Sequence, residues 1–234
     1  MLKALPNISW LTVDQLEKVA GAMTVTGHEK RSTIFSDKSA SESAYILLSG
    51  VARITCDNRK GRRTMAILLS PGLIPEFPAA VAGITFNFRC EAVTSCQVGT
   101  IGLNTFVKIC LGIGSLEYKH MAASFLGRWD RVHVRCSNLA GCRLEERLAF
   151  TLLDLSENFG VPDQHGGVLL NVQLNRGHLA DLVGASRARV TEHLLEFAKK
   201  HLISWQGLHL TVDREGLQAF LMETHREGFS GELP

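Results

Sequence analysis

Leu174–Lys200, LNRGHLADLVGASRARVTEHLLEFAKK, is the stretch on which the reading of this chain turns. Apolar residues at a period of 3.6 split it into two helices around Gly184. In the first, Leu179, Leu182 and Val183 share a face, and Asn175 stands where an N-cap accepts a hydrogen bond from a free backbone amide. Gly184 suits a tight corner because glycine takes a left-handed backbone without steric cost. Ser186 then caps a second helix with an apolar set of Val190, Leu194, Leu195 and Phe197. Arg187, Ala188, Arg189, Thr191 and Glu192 are left to point outward. Two short helices about a glycine turn make a helix-turn-helix, whose second helix fits a DNA major groove. The alternative is an αα-hairpin inside a core.

Composition narrows the classes. At 234 residues, 45% hydrophobic and 21% charged, the chain is long enough for one large or two ordinary domains with a real core. No apolar run approaches the roughly 20 residues that span a bilayer, so no membrane partner is expected. The N-terminus MLKALPNISWL lacks an apolar signal-peptide core, and a cytoplasmic location is the expectation. Six cysteines (Cys56, Cys90, Cys96, Cys110, Cys136, Cys142) include no C-x-x-C pair and read as reduced thiols. The net charge of +2 is uneven: residues 143–234 hold 9 Lys+Arg against 13 Asp+Glu, and residues 1–142 hold 16 against 10. DNA affinity in the C-terminal part must therefore come from locally placed cations, helix N-termini and backbone amides, not from a general positive field.

In chain order, residues 12–25 predict an amphipathic helix capped at Thr12, with Leu16, Val19 and Met23 buried. From Ser32 to about Gly102, short β-branched or apolar runs alternate with turn residues, the pattern of an antiparallel barrel or sandwich. Cys56–Gly61 is a plausible hairpin tip. Helical periodicity returns from Thr105. Tyr118, Ala122, Phe125, Trp129, Val132, Cys136 and Leu139 then follow at spacings of 4,3,4,3,4,3, a heptad seam with charged flanks suited to a parallel dimer contact. The alternative is a helix packed on its own barrel. Asn138–Gly141 reads as a hinge. Arg143–Phe159 reads as a helix, with Leu144, Leu148, Leu152 and Leu155 on one side, and Gly160–Gly167 as a loop. VLLNV is a short strand, and ISW and LHLTV flank Gln206-Gly207 as a β-hairpin wing. A last helix starts near Arg214, and Gly228–Pro234 is expected to fray.

Taken in order, these pieces resemble the CRP/FNR superfamily of bacterial transcription regulators. The resemblance spans nearly the whole chain. It is carried by YILLSG (Tyr45–Gly50), the Pro71-Gly72 turn with Glu76, NLAGCRLEERLA (Asn138–Ala149) and LADLVGASRARV (Leu179–Val190). It implies an α+β chain with a cyclic-nucleotide-binding-like β-roll (1–115), a dimerisation helix and hinge (116–142) and a winged helix-turn-helix (143–234). It also implies a non-enzymatic homodimer on a two-fold DNA operator, with RNA polymerase as a protein partner. Arg187 matches the guanine-reading position and Arg176 a phosphate-contacting one. The family's usual Glu is replaced by Ala188, and its outward Arg by Glu192, which can accept from a cytosine amino group but cannot read guanine. The expected operator therefore differs from the family's TGTGA-type half-site.

The sensor region departs as well. Glu76 matches the ribose-holding acid and stands beside Phe77, but Phe86-Asn87 replaces the Arg-Ser pair that clamps the cyclic phosphate. Val132 and His133 replace the two adenine-contacting hydroxyls. Arg89 is a possible substitute clamp, or faces solvent. Cyclic AMP is therefore not the expected signal. An iron-sulfur cluster is disfavoured because the first cysteine is Cys56, and haem remains open at His28, His120 or His133. No metal site is expected otherwise. Cys136 on the seam would face its symmetry mate, which makes a thiol-responsive regulator one alternative. A constitutive regulator whose cavity is filled by Phe77, Phe86 and Phe88 is another. A cupin-type enzyme would need metal-binding histidines, and 32–102 contains none.

Overall fold

A computed structural model describes residues 2–5, 7–36, 42–57, 63–74, 88–111, 114–163, 166–206 and 209–229. It forms two compact units, Met1–Val134 and Arg135–Pro234. The division falls inside the long helix that the sequence sets apart as 116–142.

In the first unit, helix α1 (Val13–Ala22) begins at a capping box. The Thr12 hydroxyl accepts from the Gln15 amide, and the Gln15 side chain accepts from the Thr12 amide. Leu16 and Val19 are buried as expected, but the helix stops earlier than 25. Met23 is an extended C-cap packed against the core, and Thr24–His28 is strand β1. Thr24, Val25, Thr26 and Gly27 are all exposed, so no inside/outside alternation marks β1 as a strand.

Strands β2 (Thr33–Ser36), β3 (Ser43–Ser49), β4 (Ala52–Asp57), β5 (Arg63–Leu69), β6 (Gly72–Leu73), β7 (Phe88–Ala92) and β8 (Cys96–Gly102) complete two antiparallel sheets, ordered β1-β8-β3-β6 and β2-β7-β4-β5. The pairing of Asp57 with Arg63 agrees with a hairpin there, although its tip lies outside the described residues. β3 explains why YILLS reads as a continuous apolar run. Tyr45 and Leu47 face a core shared with Phe35, Ile54, Cys90 and Val98 of other strands, with the Phe35 and Tyr45 rings stacked at 4.5 Å. Ala44, Ile46 and Leu48 face the opposite way, into a core closed by Leu5, Ile8, Trp10, Leu16, Val19 and Phe106. A strand buried on both sides has no polar face to alternate.

Helix α2 (Leu103–Cys110) starts two residues before the expected Thr105, and α3 (Ser115–Gly141) follows. The expected hinge Asn138–Gly141 is helical. The Cys142 amide still donates to the Asn138 carbonyl at 3.0 Å, and the break comes at Cys142–Arg143. In the second unit, helix α4 (Leu144–Phe159) begins with the Arg143 amide donating to Glu146 Oε2 at 2.6 Å. Its Leu144, Leu148, Leu152 and Leu155 are buried, on the side the sequence indicates.

The expected loop at Gly160 opens instead as strand β9 (Gly160–Pro162), paired with β10 (Val168–Leu170). Helices α5 (Arg176–Val183) and α6 (Arg187–Lys199) precede strands β11 (Ile203–Gln206) and β12 (His209–Val212), which pair as the wing. The sheet order is β11-β12-β10-β9, and helix α7 (Arg214–Phe229) follows, reaching into the segment expected to fray. Among the described residues, no helix is long and apolar enough to cross a membrane.

Candidate nucleic-acid interface

The corner between α5 and α6 is built from short-range hydrogen bonds. Asn175 Oδ1 accepts from the His178 amide at 2.9 Å and so caps α5. Gly184 ends that helix in the left-handed region (φ 65°, ψ 41°), and the Ala185 amide returns to the Ala180 carbonyl at 3.0 Å. The Ser186 hydroxyl accepts from the Arg189 amide at 3.4 Å and caps α6. Buried Leu179, Leu182 and Val183 of α5, and Val190, Leu194 and Phe197 of α6, hold the pair onto the unit. Helix α4 contacts both. The Phe197 ring meets Phe220 of α7 edge-on at 5.3 Å, and Lys200 Nζ lies 5.3 Å from the Phe220 ring centre.

On the outer side, Arg176, Ser186, Arg187, Ala188, Arg189 and Glu192 are all exposed. Thr191 is half-buried, and its hydroxyl donates to the Arg187 carbonyl at 2.7 Å, so that proton is committed to the helix itself. Leu195 departs from the sequence expectation: counted in the apolar set with Leu194, it is 55% exposed. The buried arc of α6 centres on Val190, Leu194 and Phe197, and at about 100° per residue Leu195 falls outside it.

Two further residues contact these helices. Gly177, in the first turn of α5, is buried beneath the Arg187 guanidinium. A Cβ there would lie 3.0 Å from Arg187 Nε, 3.1 Å from Nη2 and 3.0 Å from Asn175 Oδ1. Gly177 thus gives the Arg187 head group its resting place. Arg135, near the end of α3, donates from Nη2 to the Asp181 carbonyl at 3.2 Å. The glycine was visible in the sequence, but only its contact with a residue ten positions later gives it this role.

The sensor residues are less fully placed. Glu76, Phe77, Phe86 and Asn87 lie outside the described residues. Arg89 is half-buried on β7, paired with Ser36 of β2 and Thr55 of β4. Two residues along the same strand, Glu91 Oε2 accepts from Arg53 Nη2 at 2.7 Å and from Nε at 3.0 Å, an ion pair 38 positions apart that the sequence did not reveal. Of the haem candidates, His28 on β1 approaches the Thr26 hydroxyl at 3.0 Å, and His120 and His133 are exposed on α3. Among the described residues, no three His, Cys, Asp or Glu side chains gather where they could hold a metal.

On α3, Tyr118 and Leu139 are 59% and 38% exposed, Cys136 is exposed, and Ala122 and Val132 are half-buried. Nothing of the Phe125 and Trp129 side chains is described. Met121 packs against the core of its own unit.

A cyclic nucleotide-binding domain model matches residues 27–112, and a Crp-like helix-turn-helix domain model matches residues 146–220. The chain belongs to the CRP/FNR family of DNA-binding transcription regulators. The cAMP-activated global transcriptional regulator CRP of Pasteurella multocida is 23% identical over 186 residues, covering 79% of this chain and 88% of that protein. Nitrogen fixation regulation protein FixK of Azorhizobium caulinodans is 25% identical over 186 residues, covering 80% and 73%. The structure of FixK2 from Bradyrhizobium japonicum superposes with a TM-score of 0.71 at 17% identity, over 84% of this chain and 96% of that one, and shows the same fold. The expected β-roll and winged helix-turn-helix are therefore present, in the expected order.

Proposed function

We propose that this regulator works as a cytoplasmic homodimer that grips a two-fold operator through its two α6 helices, gated by a signal at the β-roll other than cyclic AMP. The observation that carries the reading is the face of α6, where exposed Arg187, Ala188 and Glu192 flank the Ser186 cap. Arg187 supplies a bidentate guanine contact, worth about 1–3 kcal/mol of discrimination. Glu192 accepts from a cytosine amino group and penalises guanine at the same step. Arg176, at the N-terminus of α5, addresses phosphate together with the free backbone amides there. The exposed Tyr118, Cys136 and Leu139 support pairing along α3.

Selection of bound duplexes from a random pool tests the operator, and sedimentation tests the dimer. The expected result is a two-fold site with guanine at the Arg187 step and cytosine at the Glu192 step. Recovery of a TGTGA-type half-site would overturn the assignment of Glu192. A monomer at micromolar concentration would overturn pairing along α3. The loss of the phosphate-clamping arginine at Phe86 supports the exclusion of cyclic AMP, because an anion without a cationic partner in a pocket is costly. Calorimetry with cyclic AMP and cyclic GMP tests it, and micromolar binding of either refutes it.

The exposure of Cys136 favours a second reading in which oxidation links the two subunits and lowers or raises DNA affinity. A non-reducing dimer band after peroxide, absent in Cys136→Ser, is the result this reading requires.

A further inference from the structure

The outward face of α6 carries more than the residues that mark its family. Ala188, Glu192, Leu195 and Lys199 follow at spacings of 4, 3 and 4, and each is exposed. At about 100° per residue they fall within an arc of about 60°, whose centre lies about 160° from that of the buried Val190, Leu194 and Phe197. Leu195 is thus a large apolar side chain, 55% exposed, in a stripe whose other members carry a methyl group, a carboxylate and an ammonium group. An isolated exposed leucine needs no explanation on an ordinary surface. This one stands on the side of the recognition helix turned away from the protein's own core, where the groove floor would be.

We propose that Leu195 is a specificity-determining residue that reads the 5-methyl group of a thymine in the operator. The inference rests on the DNA-binding reading of α6 given above. The thymine methyl is the apolar feature of the major-groove edge, and side-chain carbon is what recognises it. Leu195 lies about 4.5 Å along the helix from Glu192, little more than one base step of roughly 3.4 Å. The thymine is therefore expected within one or two steps of the base pair that Glu192 addresses. Glu192 and Leu195 together favour a cytosine and a thymine side by side and reject guanine and uracil-like edges in turn.

The test removes the methyl group and leaves every protein atom in place. Full-length protein selects its site from a random duplex pool, and each thymine of that site is then replaced by deoxyuridine in both half-sites. Burying one methyl group corresponds to about fourfold in affinity per half-site, or about 15-fold for a two-fold site. The expected result is one thymine per half-site whose replacement weakens binding by about that factor, with the penalty falling below about twofold in Leu195→Ala. Because Leu195 is exposed, thermal unfolding of Leu195→Ala should match the parent. If the variant did not fold, the deoxyuridine series on the parent protein would still decide. A site at which every deoxyuridine is silent, or at which the penalty is unchanged in Leu195→Ala, would overturn the assignment while leaving DNA binding intact. A pool with no enrichment would overturn the DNA-binding reading, and this inference with it.

Discussion

Gly184→Ala probes the corner that aims α6. Gly184 sits at φ 65°, ψ 41°, where an L-residue with a Cβ incurs about 1–2 kcal/mol. Against this, alanine restricts the unfolded chain and returns about 0.4–1 kcal/mol. The new Cβ would also lie 3.1 Å from Leu139 Cδ2, tight enough that the leucine must shift by a few tenths of an ångström. The net expectation is a loss of about 1 kcal/mol in the unit that runs from Arg135, or about 4–8 °C in its melting temperature. Thermal unfolding of the full chain, followed by circular dichroism and calorimetry, measures it. Gly184→Asn is the control, since asparagine tolerates the left-handed region better and should lose less. Leu139→Ala removes the crowding atom, so its combination with Gly184→Ala should cost less than the sum of the two singles. A Gly184→Ala protein as stable as the parent, or an asparagine variant as damaged as the alanine one, would refute the argument from backbone conformation.

Three other predictions concern separate parts of the chain. Gly177→Ala should leave folding stability within about 1 kcal/mol, since alanine is the better helix former, but should lower operator affinity by displacing the Arg187 guanidinium. Gel-shift titration beside a melting curve separates the two effects, and an unchanged affinity would dismiss Gly177 as a support. Glu91→Ala should cost about 1–3 kcal/mol by leaving Arg53 half-buried without its carboxylate, as read by urea unfolding. Burial pushes the Cys110 thiol up to about 12. At pH 8 that leaves very little thiolate, the reactive form, so a thiol reagent should modify exposed Cys136 well before Cys110. Mass spectrometry of the partly labelled protein gives the order, and early modification of Cys110 would contradict its burial.

The features legible from sequence alone are those made by residues three or four positions apart. Asn175, Gly184 and Ser186 shape the corner through their own side chains or their own backbone freedom, each acting within one helical turn, so the helix-turn-helix could be read directly. The same holds for Thr12 with Gln15, and for the leucine face of α4. What the tertiary structure decided depends on partners far along the chain. β1 is a strand because β8 supplies its hydrogen bonds, some 70 residues away; its β-branched Thr-Val-Thr suits a strand, but with Thr24 to Gly27 all exposed no alternation marks it. Arg53 and Glu91 become a pair, and Gly177 becomes a shelf for Arg187, only when separate elements meet. Leu195 shows the difference most sharply. The sequence counts Leu195 with Leu194 because both are apolar, yet Val190, Leu194 and Phe197 cluster within about 60° of the helix and Leu195 stands about 100° from the nearest of them. An apolar set spanning about 160° is wider than the arc the helix buries, and the side on which α6 packs covers Val190, Leu194 and Phe197 and leaves Leu195 outward.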